Sequence, residues 1–170
     1  MKHKVIILAA LFLAGAAFLF FDATRSSNVG KEATAPAFEV KDAVTGRRLS
    51  SYDLKEKVIF VNFWASWCEP CKEEMPSIET LYREMSSHSD FVMVTILYRD
   101  SPENALGYMK SKGYTFPVYV DPEGGAARNY GVTGVPETYV TDKKGVLVRR
   151  VIGPADWNAP DEKNQIKAQL

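Results

Sequence analysis

Cysteine is scarce in this sequence: only Cys68 and Cys71 occur among 170 residues. Two cysteines cannot build a framework of several disulfides. A bridge between residues so close also closes too small a loop to be a strong staple. Redox use is the better reason for the pair. Histidine is as rare, with only His3 and His88. A zinc site at the cysteines would need two more ligands, and His3 stands at the far end of the N-terminal segment. Charge of one sign is lacking too, since 21 basic and 21 acidic residues balance to a net charge of zero. No basic run, dense Lys/Arg cluster or aromatic–basic repeat is present, which argues against a nucleic-acid partner. Internal repeats and low-complexity segments are likewise missing.

What is present is concentrated in Trp64-Ala65-Ser66-Trp67-Cys68-Glu69-Pro70-Cys71-Lys72. The pair of cysteines follows the apolar run Val58–Trp64, which reads as a buried strand. The residues after Cys68 read as the first turn of a helix. A helix N-terminus offers partial positive charge and free N–H groups, which favour a thiolate at Cys68. A Cys-x-x-Cys pair at such a junction can open and close as a disulfide, so thiol–disulfide exchange is the expected chemistry.

The N-terminus carries a second signal. Met1-Lys2-His3-Lys4 is basic, and Val5 to Phe21 is then continuously apolar or small. As a helix this run would span about 25 Å, near the short end of what crosses a bilayer. The basic flank predicts a cytoplasmic N-terminus, with the rest of the chain on the other side. A cleaved signal peptide and an uncleaved anchor compete. The residues after the run make a poor small-x-small cleavage pattern, because Phe21 would fill a small position, so an anchor over 1–21 is expected. With no cysteine nearby, lipidation of a cysteine is excluded.

Asp22 to Pro36 is rich in small, polar and charged residues and reads as a flexible tether. A globular domain is expected over 37–170; 46% apolar and 25% charged residues fit one such domain plus an appendage. A hairpin is expected around Asp42–Arg47 and a one-turn helix at Ser50–Leu54. Further strands are expected at Val58–Trp64, Phe91–Leu97, Phe116–Val120, Glu137–Thr141 and Val146–Ile152, the last two joined by a turn at Asp142–Gly145. Helices are expected at Cys68 to about Met85, kinked at Pro76, and at Pro102–Lys112, capped by Ser101 and stopped by Gly113. Two more are expected at Pro122–Tyr130 and Asp161–Leu170. Strand–helix–strand units followed by a hairpin and a last helix predict an α/β fold: a central mixed β-sheet with helices on both faces.

Several blocks together resemble the thioredoxin-like proteins of the TlpA/ResA/DsbE (CcmG) type. They are Asn62 through Cys71, Glu74 and Pro76 after it, Tyr130 through Thr138, and Gly153-Pro154-Ala155-Asp156-Trp157. The resemblance covers about residues 36 to 170. It implies a thioredoxin-like fold in which Phe91–Val120 is an inserted strand–helix unit, and an N-terminal anchor is typical of the group. Cys68-Glu69-Pro70-Cys71 is similar to ResA-type proteins, whereas Gly134-Val135-Pro136-Glu137-Thr138 is similar to DsbE.

On this reading Cys68 is the attacking thiol and Cys71, one turn into the helix, the resolving thiol. Glu69 and Pro70 lie between them. A carboxylate beside Cys68 disfavours a second negative charge, a small argument for a reductant. Glu74 follows Cys71 by three residues and so lies one turn along the same face. A carboxylate there can take or give a proton as Cys71 reacts; the alternative is a solvated surface Glu. In the ResA-like pattern this position carries an active-site acid. Ordinary thioredoxins place a buried acid where Asn62 stands. The resemblance further implies that Pro136 is cis and faces the dithiol, leaving the Val135 backbone to pair with an extended substrate segment. It implies that Trp67 covers the disulfide and Trp64 packs beneath it. Lys72 and Trp157 read as a surface lysine and a packing residue.

The expected function is that of a membrane-tethered enzyme on the extracytoplasmic side, a single-pass protein of the inner membrane facing the periplasm. It would reduce protein disulfides, such as the haem-attachment cysteines of apocytochrome c, without a cofactor beyond its own disulfide. Its electrons would come from a membrane partner of the DsbD or CcdA kind, because the outer compartment is oxidising. A monomer is the default. The competing readings are a DsbA-type oxidant, which would need a strongly stabilised Cys68 thiolate, and a copper-binding assembly factor. The latter usually has three residues between its cysteines and a later histidine. A peroxidase frame, Pro-x-x-x-Thr-x-x-Cys, is absent before Cys68.

Overall fold

The computed structural model describes residues 33–170; the expected anchor and most of the expected tether lie outside them. Among the described residues no helix is long and apolar enough to cross a membrane. The described chain opens with a short hairpin, β1 (Glu39–Asp42) and β2 (Arg48–Ser50), whose turn is held by the Asp42 carboxylate accepting from Val44 and Thr45 N–H. A 3-10 turn follows at Ser51–Leu54, with Ser50 and Asp53 forming a reciprocal cap. Then come β3 (Val58–Trp64), α1 (Glu69–Met85), β4 (Phe91–Leu97), α2 (Pro102–Lys112), β5 (Val118–Val120) and α3 (Gly125–Asn129). The hairpin β6 (Glu137–Thr141) and β7 (Leu147–Ile152) and the helix α4 (Pro160–Lys167) complete it.

One seven-stranded mixed sheet runs in the order β2-β1-β5-β4-β3-β6-β7. Strands β3, β4 and β5 are parallel, while β6 lies antiparallel to β3 on its other side. All seven residues of β3 are buried, which explains an apolar run without alternation. The pleat still sorts its side chains. Val58, Phe60 and Trp64 join Met75, Ile78, Leu81 and Met85 of α1, with Ala105 and Met109 of α2 and Ile166 of α4. Ile59, Val61 and Phe63 face the opposite core with Val94, Ile96, Ala126, Tyr130 and Tyr139. Each large apolar side chain buried in these layers contributes roughly 1.5–3 kcal/mol. Asn62 shares the parity of Phe60 and Trp64, so the pleat turns this one polar residue of β3 toward α1.

Most elements coincide with the sequence reading. Ser101 accepts from Asn104 N–H at the start of α2, and Gly113 ends it in a left-handed conformation at φ 71°. Several differences trace to particular hydrogen bonds. The strand expected from Phe116 begins only at Val118, because Pro117 has no N–H and the N–H groups of Thr115 and Phe116 bond to the Glu79 carboxylate instead. The helix expected from Pro122 begins at Gly125, where the Asp121 carboxylate accepts from Gly125 and Ala127 N–H. The last helix ends at Lys167, and Val146 bridges to Thr34 rather than extending β7. Ala35 N–H also bonds to Gly145, so the end of the expected tether is held against the β6–β7 turn. Helix α1 is continuous through Pro76.

Candidate active site

The chain leaves β3 at Trp64, turns through Ala65-Ser66-Trp67, and enters α1 with Cys68 as its N-cap. Cys68 and Cys71 form a disulfide, their Cα atoms 5.2 Å apart. The Cys68 sulfur accepts from Cys71 N–H at 3.2 Å, one of the free donors of the first helical turn. Cys71 is fully buried and Cys68 nearly so, at 4% exposure. Glu69 and Pro70 occupy the first helical positions, where Pro lacks an N–H that the helix would not use. Glu69 is exposed and ion-paired with Lys72 at 3.0 Å. The charge expected to act on Cys68 therefore comes with a partner that offsets it, and Lys72 is more than a solitary surface lysine.

Facing the disulfide is the loop before β6. The Val135–Pro136 bond is cis, and the Val135 carbonyl oxygen lies 3.5 Å from the Cys68 sulfur. Gly153 N–H bonds to the Pro136 carbonyl, tying this loop to the end of β7. Trp64 is fully buried, tilted against Tyr108 and edge-on to Phe116. Trp67 is 58% exposed, and its indole N–H donates to the Arg99 carbonyl at 3.1 Å. It sits at the rim of the site, beside a cleft of about 1030 Å³ lined in part by Arg99, Asp100, Pro122, Arg128 and Val132.

Glu74 is not a solvated surface residue: it is 2% exposed. One turn beyond Cys71, its carboxylate accepts from three donors. These are Asn62 Nδ2 at 2.9 Å, the Ala155 N–H at 3.2 Å and the Trp157 indole N–H at 3.2 Å. Burial pushes the carboxyl up to about 7, with the three hydrogen bonds pulling partly back. Asn62 gives its second N–H to Thr138 Oγ1 at 2.8 Å, across the β3–β6 register pair Asn62–Thr138. Its Oδ1 has no partner. A surface cavity of about 460 Å³ reaches Glu74 between α1 and Pro154–Asp156. Sequence reasoning singled out Asn62 and Glu74 separately but missed their contact and the part of Trp157. Only the even spacing from Phe60 to Trp64 hinted that Asn62 would face α1.

A disulfide at a helix N-terminus, opposed by an X-cis-Pro loop and backed by a buried carboxyl, can exchange with a thiol pair on another molecule. On a mixed sheet with helices on both faces it defines a thiol–disulfide oxidoreductase of thioredoxin-like fold. The profile of the AhpC/TSA family matches residues 31–150, and the chain belongs to that family. Its relatives include the DsbE-2 protein of Pasteurella multocida (strain Pm70), 35% identical over 90% of this chain and 81% of the relative. Thiol-disulfide oxidoreductase ResA of Bacillus thuringiensis (strain Al Hakam) is 35% identical over 88% of this chain and 86% of its own length. Among solved structures, a thiol:disulfide interchange protein of the thioredoxin family from Chlorobium tepidum TLS is similar, with TM-score 0.68 and 28% identity. That match covers 82% of this chain and 97% of the other. StoA of Bacillus subtilis matches with TM-score 0.64 and 25% identity, over 78% and 98%. The enzyme is thus a thiol-disulfide oxidoreductase of the DsbE/ResA type.

Proposed function

We propose that the protein is a reductant of protein disulfides, tethered by residues 1–21 to the inner membrane with its globular domain on the extracytoplasmic side. The observation that carries the direction is the buried Glu74, one turn from Cys71. A carboxyl that holds its proton to about pH 7 can receive and release one near neutrality as Cys71 ionises. Once ionised above that pH, the buried Glu74 carboxylate also disfavours a second negative charge on Cys71, which favours the disulfide and lowers the potential.

In this reading the Cys68 thiolate attacks one sulfur of a client disulfide. A mixed disulfide forms and the client's other sulfur leaves as a thiolate that takes a proton. Cys71 gives its proton toward Glu74 and attacks the Cys68 sulfur. The client's second thiolate is expelled and the Cys68–Cys71 disulfide closes. Two electrons pass from the enzyme dithiol to the client. Val135 and Pro136 position the client segment, with Trp67, Glu69 and Pro70 at its margin. The client class is a protein with an extracytoplasmic disulfide, such as the haem-attachment cysteines of apocytochrome c. A membrane donor of the DsbD or CcdA kind returns the electrons, and the protein works as a monomer with no cofactor.

The test is the reduction potential in thiol/disulfide buffers. A value near or below about −220 mV is expected, whereas one near about −120 mV would make the protein an oxidant and overturn the proposal. With Cys71→Ser, Cys68 should trap a disulfide peptide of the Cys-x-x-Cys-His type as a stable mixed disulfide, read by mass.

A further inference from the structure

The loop that leads into Cys68 is bonded, step by step, to the loop after β4. Tyr98 N–H bonds to the Trp64 carbonyl at 2.8 Å, one step beyond the end of the β3–β4 ladder. Next, Ser66 N–H donates to Asp100 Oδ2 at 2.6 Å. The Trp67 indole N–H then reaches the Arg99 carbonyl. The other oxygen of Asp100 accepts from Ser101 N–H at 2.8 Å, where Ser101 caps α2. A carboxylate accepting N–H bonds is among the stronger hydrogen-bond acceptors. Arg99 sits at φ 51°, a left-handed conformation that a non-glycine residue adopts only when its surroundings hold it there.

We infer that Asp100 is a positioning residue for thiol–disulfide exchange: its carboxylate holds the Ser66–Trp67 backbone, and through it the Trp67 ring and the direction of Cys68. The reason lies in how little else restrains that segment. Ser66 is half-buried and Trp67 exposed. The turn itself offers a bond from Cys68 N–H to Ala65 at 3.2 Å. If Ser66 swings away, α1 keeps its buried face, but the Cys68 sulfur loses its register with the Val135 carbonyl. The indole then leaves the rim on which a client would lie. Asp suits the position because its two oxygens serve two N–H groups. Asn keeps one acceptor and turns a donor toward the other N–H. The inference rests on the reading of Cys68 as attacking thiol.

The test uses the full-length chain with Asp100→Ala, Asp100→Asn, Trp67→Phe and the double variant Asp100→Ala/Trp67→Phe. Two quantities are read. The first is kcat/KM for reduction of a disulfide peptide by the reduced protein. The second is acrylamide quenching of tryptophan fluorescence, which reports Trp67 because Trp64 and Trp157 are fully buried. Asp100→Ala should slow the reaction about tenfold, the order expected when a reacting group is modestly misplaced. Quenching should rise with it, and Asp100→Asn should restore part of both. In the Trp67→Phe background the same change should cost clearly less, since neighbours that act as a unit are not additive. Unchanged rate and quenching with only a lower melting temperature would reduce Asp100 to a cap of α2 and overturn the inference. Additive losses in the double variant would overturn it as well. Should the wild-type dithiol fail to reduce the peptide, the reductant reading falls. Quenching, together with oxidation of a dithiol peptide by the disulfide form, then still decides Asp100.

Discussion

Replacing Glu74 with Gln should remove one pH-dependent part of the stability of the oxidised protein. Burial holds the Glu74 carboxyl at about 7, against an ordinary 4.5. The folded chain therefore binds this proton more tightly than the unfolded chain. Stability from that proton is fully present below the unfolded value and is lost as pH rises through the folded one. At about 1.4 kcal/mol per pH unit, the gap from 4.5 to about 7 amounts to roughly 3 kcal/mol. Gln stands in for the protonated acid. Its carbonyl can accept from Ala155 N–H and the Trp157 indole, as Oε2 of Glu74 does. Its amide N–H needs an acceptor, and rotating the Asn62 amide would supply the Oδ1 that now has no partner. Both proteins would be unfolded in urea in the disulfide form, at steps from about pH 4 to 8, and the difference in unfolding free energy plotted against pH. Titrations common to both cancel. The wild type should lose roughly 3 kcal/mol relative to the variant across this window, leaving the variant the more stable above pH 7. A flat difference curve would refute the argument, because Glu74 would then titrate alike in the folded and unfolded chains.

Trp157→Phe keeps a ring edge-on to Phe60, now 4.9 Å away, but deletes the indole donor to Glu74. The Glu74 step in the same titration should move to higher pH, with about 1–2 kcal/mol lost above it. Glu79 is a different kind of buried acid. Burial pushes its carboxyl up, but bonds from Thr115, Arg83 and Phe116 outweigh this and hold it below the usual range. Its stabilisation is present above the ordinary carboxylate value and is lost as pH falls below that through the lowered folded value. Glu79→Ala strands the Thr115 and Phe116 N–H groups and should cost about 2–3 kcal/mol at neutral pH, with the urea midpoints of variant and wild type converging in acid.

Much of the fold was legible because local signals agreed with one another. The run Val58–Trp64 and the β-branched run Phe91–Leu97 are strands with the expected ends. Helix α2 begins at Pro102 after the Ser101 cap and stops at Gly113, as those residues require. Asp142–Gly145 turns β6 into β7. The strand end misjudged at Phe116 lies where a side chain distant in sequence took over the backbone bonds. Glu79 claims the N–H groups of Thr115 and Phe116, 36 and 37 residues away. No window of neighbouring residues contains that information.

The sequence alone determined the chemistry: two cysteines, two residues apart, at the end of an apolar strand admit one dominant use. It also determined the sheet core, since period and composition dictate which segments must be buried. The surroundings of the disulfide were decided only in three dimensions. Whether Glu74 was solvated or buried depended on Asn62, Ala155 and Trp157, which lie 12, 81 and 83 residues from it. The hold of Asp100 on Ser66 spans 34 residues. A pattern of neighbours says which face a residue takes, but not which distant donor meets it there. That is why the cysteine pair could be read from the chain, while the groups packed around it required the fold.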